Sequence, residues 1–342
     1  MKLPTRMAFL ICVNLILLIS CKNNTTHNSL KTYEEKVTSI NHESFCPSFL
    51  IYLKDHLLLI NNDRDTIFEL VDLKTKTVKK FGLRGRGPNE FLYISDAYSD
   101  DYKEVVTIVD VNSKNVYSIS YDDILNCDLA NAKQLKLPTS ITISTMIRIT
   151  SNGWVYGDLT GDAMVMQLAK NGNVLKFDHQ PKLPYSLNQN TKAYAYYSAI
   201  AYNSALNKTI VALRYFPYVY ILNEDGTLYK TIKTTEKYEV PIFKNNSLLP
   251  SASSMIYCWE VHTTEKHIYI GNAGITQAEF EQDELNGTSI LVYDWDGNQI
   301  SEIKTDFAFA NLAFDFKNKK IYGSSTKDMY HCVSWIPLRA EL

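Results

Sequence analysis

The chain has 342 residues, 45% of them hydrophobic, and its 35 Lys and Arg nearly balance 37 Asp and Glu for a formal charge of −2. No basic patch stands out against that balance, so nucleic acid is not an expected partner. A chain of this length holds either two average domains or one large repeat or barrel fold.

The N-terminus comes first. Lys2 and Arg6 precede a run from Met7 to Ile19 that is apolar apart from Asn14. At about 13 residues this run is shorter than the roughly 20 of a spanning helix, and behind positive charge it reads as a signal peptide. It ends in Leu18-Ile19-Ser20-Cys21. This stretch resembles the lipobox of bacterial lipoproteins, with a small residue before a cysteine whose thiol takes the diacylglycerol. Residues 1–20 are therefore expected to be a lipoprotein signal peptide, Cys21 the lipidation site and residues 21–35 a polar, flexible tether. Residues 22–24 have neither Asp at the second position nor an acidic run. The expected location is thus the outer membrane, facing the periplasm.

Residues 36–342 show short alternating runs rich in Val, Ile, Tyr and Phe, the signature of strands. The clearest landmark is a strand, a tight turn and a second strand. It recurs as Met164–Leu168 with Lys170-Asn171-Gly172-Asn173 and Val174–Phe177. It returns as Tyr218–Leu222 with Asn223-Glu224-Asp225-Gly226, and as Ser289–Tyr293 with Asp294-Trp295-Asp296-Gly297. Asn-Gly and Asp-Gly between alternating strands mark hairpins, because the turn needs positive φ. Two further strands precede each copy, so the unit is four antiparallel strands at a spacing of roughly 40–55 residues, which is the pattern of propeller blades. Six units fit, at 44–82, 92–138, 140–180, 193–235, 252–306 and 307–341. The expected fold is an all-β, six-bladed β-propeller. The sixth unit shows no fourth strand of its own, so Lys36–Ile40 is expected to supply it and to cover an otherwise open edge. The competing architecture is a β-sandwich.

One segment adds to the pattern: Phe81-Gly82-Leu83-Arg84-Gly85-Arg86-Gly87-Pro88-Asn89-Glu90-Phe91. It resembles the G-x-G-P-x-E-F stretch of six-bladed β-propeller lipoproteins of Bacteroidota, a group similar to TolB-like and NHL propellers. The resemblance implies fold and envelope location more than an activity. The glycines suit a connector with unusual backbone angles, and Phe91 is expected to plug between adjacent blades. Arg84 and Arg86 either contact an anion or carboxylate or tie loops together through Asp or Glu.

Lactonase-type relatives on six-bladed propellers hold calcium or zinc in the channel with Glu, Asn and Asp, which implies a hydrolase or lyase as the alternative function. Hard cations need several converging oxygens, and Glu260, Asp315, Asn272 and Asp158 are a thin set. No metal and no cofactor is expected. His262 and His267 flank a turn and are expected on a surface. No G-x-S-x-G, HExxH or P-loop occurs. Cys46, Cys127, Cys258 and Cys332 form no CxxC pair, so buried free thiols or disulfides are both open. Among the 23 tyrosines, Tyr194-Ala195-Tyr196-Tyr197 and Arg214-Tyr215-Phe216-Pro217-Tyr218 fall on one face of the disc. Tyr and Arg recur at binding hot spots, and packing between blades is the other reading. The expected function is a non-catalytic binding or scaffold propeller for an envelope protein or peptide, with Arg84, Arg86, Tyr196, Arg214 and Tyr215 as binding residues. The same aromatic rings would also serve a glycan.

Overall fold

The structure, a computed structural model, describes residues 31–35, 38–40, 47–139, 141, 144–282, 287–305, 309–324 and 333–338. The expected signal peptide, Cys21, residues 22–30 of the tether, Cys46 and Cys332 lie outside the described residues.

Five four-stranded antiparallel sheets and one five-stranded sheet follow one another along the chain. The first blade runs through Phe49–Leu53, His56–Ile60, Thr66–Asp72 and Val78–Leu83, the second through Ile94–Asp100, Val105–Asp110, Asn115–Ser120 and Lys133–Lys136. The third comprises Ser144–Thr150, Gly153–Asp158, Val165–Ala169 and Val174–Phe177, and the fourth Ser198–Asn203, Lys208–Leu213, Tyr218–Leu222 and Leu228–Lys233. The fifth has Glu260–Thr263, His267–Asn272, Thr288–Asp294 and Gln299–Thr305; the sixth has Asn311–Asp315, Lys320–Ser324 and Val333–Pro337. The strands of each blade are called A to D from the inside outwards.

Middle strands are buried because neighbouring blades cover both faces, as in Thr66–Asp72, whereas outer strands such as Leu228–Lys233 are largely exposed. The landmark turns are built alike. Asn223 N–H donates to Thr227 O at 2.9 Å and Asp294 N–H to Asn298 O at 3.0 Å, with Gly226 and Gly297 at φ 81° and 82°. An L-residue with a side chain is disfavoured there, which is why the sequence repeats glycine at this point.

Thr38–Ile40, within the segment assigned to complete the last blade, pairs antiparallel with Val333–Pro337, Thr38 opposite Trp335. Lys31–Glu35 departs from the sequence reading. Placed there in the tether, it is instead a fifth strand beside Gln299–Thr305 on the fifth blade. An outer strand leaves one row of backbone donors and acceptors open, and a short segment with Thr32 and Tyr33 has the composition to occupy it. The inner strand of the fifth blade starts at Glu260. Met255–Ile256 turns away to pair with Ile275–Thr276 in a separate ribbon.

Each blade's A strand is an edge strand, so its outward backbone groups need partners from elsewhere. They find them on the preceding blade. Asn62 donates to Ile94 O at 2.8 Å and accepts from Ile94 N–H at 2.9 Å, joining the first and second blades. Asp96 accepts from Ile147 N–H and Tyr98 Oη from Ile149 N–H, both at 2.9 Å, joining the second and third. The sulfur of Met146 accepts from Ile200 N–H at 3.2 Å. Asn203 donates to Thr264 O at 3.0 Å, Glu260 accepts from Leu312 N–H at 2.7 Å, and Asn311 donates to Pro47 O at 3.0 Å. All six seams are thus fastened by a side chain from one blade to the backbone of its neighbour.

The glycine-rich connector between the first two blades has an internal clamp. The Glu90 carboxylate accepts from Gly87 N–H at 2.7 Å, and a Cβ at Gly85 or Gly87 would meet that carboxylate. Phe91 is fully buried, edge-on to Phe68 at 5.2 Å and Tyr117 at 4.9 Å, one ring from each blade. It plugs the space between them.

Candidate functional site

A cavity of about 460 Å³ occupies the axis, lined by the inner strands of all six blades. Its walls alternate acids and rings. Asp96 and Arg148 form a buried ion pair, and the Arg148 guanidinium lies 4.2 Å from the centre of the Tyr98 ring. Burial pushes the Tyr98 phenol up, so it stays neutral. On the opposite side Glu260 pairs with His262 Nε2 at 2.9 Å, and the imidazole leans on Phe314 at 4.7 Å. At the mouth formed by the A–B turns, Asp100 takes Lys103 at 3.1 Å and Ser204 Oγ at 2.7 Å, and Asp101 accepts from Tyr121 Oη. The Trp259 Nε1 donor, by contrast, is buried with no acceptor among the described residues.

This arrangement commits four of the channel carboxylates. Asp96, Asp100, Asp101 and Glu260 each hold a cation, a hydroxyl or a backbone N–H. The oxygens considered for a cation do not converge. Asp158 accepts from Thr160, Asp162 and Ala163 N–H, each at 2.9 Å, which caps its own loop. Asp315 accepts from Asn318 N–H at 2.9 Å and its side chain at 2.8 Å. Among the described residues no group of three His, Cys, Asp or Glu is placed to hold a metal ion. Cys127 and Cys258 are free, and burial pushes the Cys258 thiol up to about 12, far from a reactive thiolate.

Two features of the channel differ from the sequence reading. His262, expected on a surface, lines the channel, because Glu260–Thr263 is an inner strand and alternate residues of it face the axis. Asp96, Tyr98 and Asp100 were not among the candidates. Their signal is the period-two spacing of Asp96, Tyr98 and Asp100, which places three polar groups on one face of a strand.

The five sequence-predicted binding residues divide into two sets. Arg84 and Arg86 project from the glycine-rich connector, both exposed and neither in an ion pair among the described residues. Tyr196, Arg214 and Tyr215 come together near the fourth blade. Tyr196 is buried, stacks on Phe216 at 5.5 Å and donates to Pro181 O at 2.8 Å, and burial pushes its phenol up to about 12. Tyr215 is buried edge-on to Phe243 at 6.0 Å. Both rings belong to one apolar cluster, Tyr196 where it fills the space between the third and fourth blades and Tyr215 where it continues to Phe243 of the connector after the fourth blade. Arg214 is half-buried above them.

A family model described as TolB-like 6-blade propeller-like matches residues 31–315. The chain belongs to this family. The TolB-like propeller also resembles a member of the DUF4221 family from Bacteroides vulgatus, with TM-score 0.56 at 10% identity over 90% of this chain and 97% of that one. A Bacteroides fragilis protein named as exported aligns with TM-score 0.54 at 10% identity, covering 89% of this chain and 98% of the other. A protein of unknown function from Bacteroides thetaiotaomicron gives 0.51 at 12% identity over 88% and 72%. At such identities these likenesses speak for the fold. No curated protein matches the chain by sequence.

Proposed function

We propose that this TolB-like propeller is a lipid-anchored protein of the cell envelope, held at the periplasmic side of the outer membrane through Cys21, and that it works as a non-catalytic binding module for a protein or peptide. The observation that carries the reading is the state of the channel: Asp96, Asp100, Asp101 and Glu260 all fasten blades or turns to one another, which leaves the usual seat of propeller chemistry structural. Binding then falls to the face where the D–A and B–C connections gather. The leader with its lipobox-like end supports the envelope placement, as does the export named for the Bacteroides fragilis neighbour. Among the described residues no helix is long and apolar enough to cross a membrane.

Crosslinking of the full-length protein in intact envelopes tests the role. A defined protein partner, recovered in proportion to the bait and competed by unlabelled propeller, is the expected result. Stoichiometric calcium or zinc in the purified protein, released when Asp96 or Glu260 is replaced, would overturn it. For the anchor, Cys21→Ser should abolish labelling with palmitate and release the protein from membranes.

A further inference from the structure

Three connections meet over the junction of the fourth and fifth blades: the B–C loop after Leu213, the D–A connector of residues 234–254, and the B–C helix Gln277–Glu281. Arg214 sits where they meet. Its backbone is fixed on both sides, N–H to Tyr197 O at 2.9 Å and C=O from Tyr257 N–H at 2.7 Å. Its guanidinium carbon lies 5.8 Å from the ring centres of Tyr197 and Tyr215 and 5.1 Å from that of Phe280. Burial raises both phenols against the opposing pull of Arg214, so the rings are neutral walls.

Among the described residues the cation in this cage has no counter-ion. Arg214 forms no ion pair among the described residues, and its Nε is buried without an acceptor. Of the described acids whose charge reaches Tyr197 and Tyr215, Asp96 holds Arg148, and Glu281 accepts from Gln277 Nε2 at 2.9 Å. Aromatic faces attract a guanidinium and the Tyr215 hydroxyl lies within its hydrogen-bond reach, but neither supplies a negative charge, and the Nε–H is left without an acceptor among the described residues. A buried donor without an acceptor is costly, and a planar fork is the partner that suits a carboxylate. The surroundings add an apolar requirement. Phe280 is 44% exposed, and Ile242, Leu248 and Leu249 stand out of the adjoining connector. Connector and helix are tied together, Gln277 N–H to Ser254 O at 2.8 Å and Ala278 N–H to Ala252 O at 2.9 Å.

We propose that Arg214, walled by Tyr197, Tyr215 and Phe280, is a binding site for the carboxylate of a peptide, with an apolar side chain of the same peptide seated on Phe280. This deepens the binding reading above by naming the chemistry its ligand must carry. The carboxylate comes from a chain terminus or from an acidic side chain.

The test uses the full-length protein with ¹⁵N-labelled arginine, the Nε–H resonance of Arg214 being assigned by its loss in Arg214→Lys. N-acetyl-phenylalanine supplies a terminal carboxylate, N-acetyl-Phe-Glu-amide a side-chain one, and N-acetyl-Phe-amide none. At least one of the acids should move the resonance to saturation, with affinity about tenfold or more above that of the neutral amide. A response to the first alone assigns a chain terminus; a response to the second assigns an acidic side chain. Phe280→Ala, a change to an exposed ring, should weaken the acid that binds while leaving the melting temperature unchanged. Equal responses to all three probes, or no response to either acid, would overturn the site. An envelope partner still captured in full by Arg214→Lys would overturn the site while leaving the binding reading intact.

Discussion

The two faces of the disc are made differently. On the A–B side the strands of each blade are joined by tight turns, several of which need unusual backbone angles: Lys54 and Asp55 at φ 44° and 65°, Glu104 at 50°, Asn207 at 51° and Lys319 at 54°. Charge pairs such as Lys54 with Glu104 at 2.9 Å and Asp122 at 3.1 Å lace these turns together. The D–A and B–C side carries the glycine-rich loop, the helices Gln189–Ala195 and Gln277–Glu281 and the connector of residues 234–254. There, among the described residues, Arg84, Arg86 and Arg214 form no ion pair, and a group of apolar residues is exposed. Short turns fix register and satisfy their own polar groups. Long connections have surface to spare, and that is where recognition can be built without cost to the frame.

The largest effect should come from the frame. Asp96→Ala leaves Arg148 as a buried cation without its acid and Ile147 N–H without an acceptor, and should cost about 3–5 kcal/mol in urea unfolding. A loss below 1 kcal/mol would show that the second and third blades hold without this fastener. Gly82→Ala comes next. Gly82 has φ 69°, and a Cβ there would lie 2.4 Å from Phe68. The change should destabilise by about 1–3 kcal/mol on the same assay, and a neutral result would place the loop outside the frame. On the recognition face the expectation reverses. Phe280→Ala should stay within about 0.5 kcal/mol of the parent in unfolding; a larger loss would make Phe280 a packing residue and blur the distinction between the faces. The smallest effect is a pH dependence. Burial, aided by Lys266, holds His267 below its ordinary value, so near pH 6 this imidazole binds more protons in the unfolded chain than in the folded one. Stability should then fall as pH drops below the ordinary histidine pKa of about 6.5 and continue to fall until the folded pKa is passed. His267→Gln should shallow that slope, and an unchanged slope would assign it to other groups.

The contrast also explains what the sequence revealed. The C–D hairpins were legible because one glycine at positive φ is a local need, met within four residues. The plug at Phe91 was legible because an aromatic after a glycine-rich connector has few places to go. Asp96, Tyr98 and Asp100 escaped because their strand carries acids on its channel face, so it does not read as apolar. Arg214 and Tyr215 stood out by type, but Phe280, which completes their cage, lies in a different blade, and no local spacing links the two. Lys31–Glu35 looked like tether because a strand on an outer edge needs little apolar character. The fate of Cys21 depends on processing enzymes and not on folding, and it lies outside the described residues.

One fastener differs chemically from the rest. Between the third and fourth blades the acceptor is the thioether of Met146, which lines the channel and lies 4.0 Å from Arg148 Nη2. A thioether is a weak acceptor, and it is also the one among the six that an oxidant can change. Conversion to the sulfoxide would place a strong, chiral oxygen acceptor between Ile200 N–H and the Arg148 guanidinium, where there is now a soft sulfur. A peroxide that enters the channel would thus alter a single seam of the ring, and a methionine sulfoxide reductase would be needed to restore it.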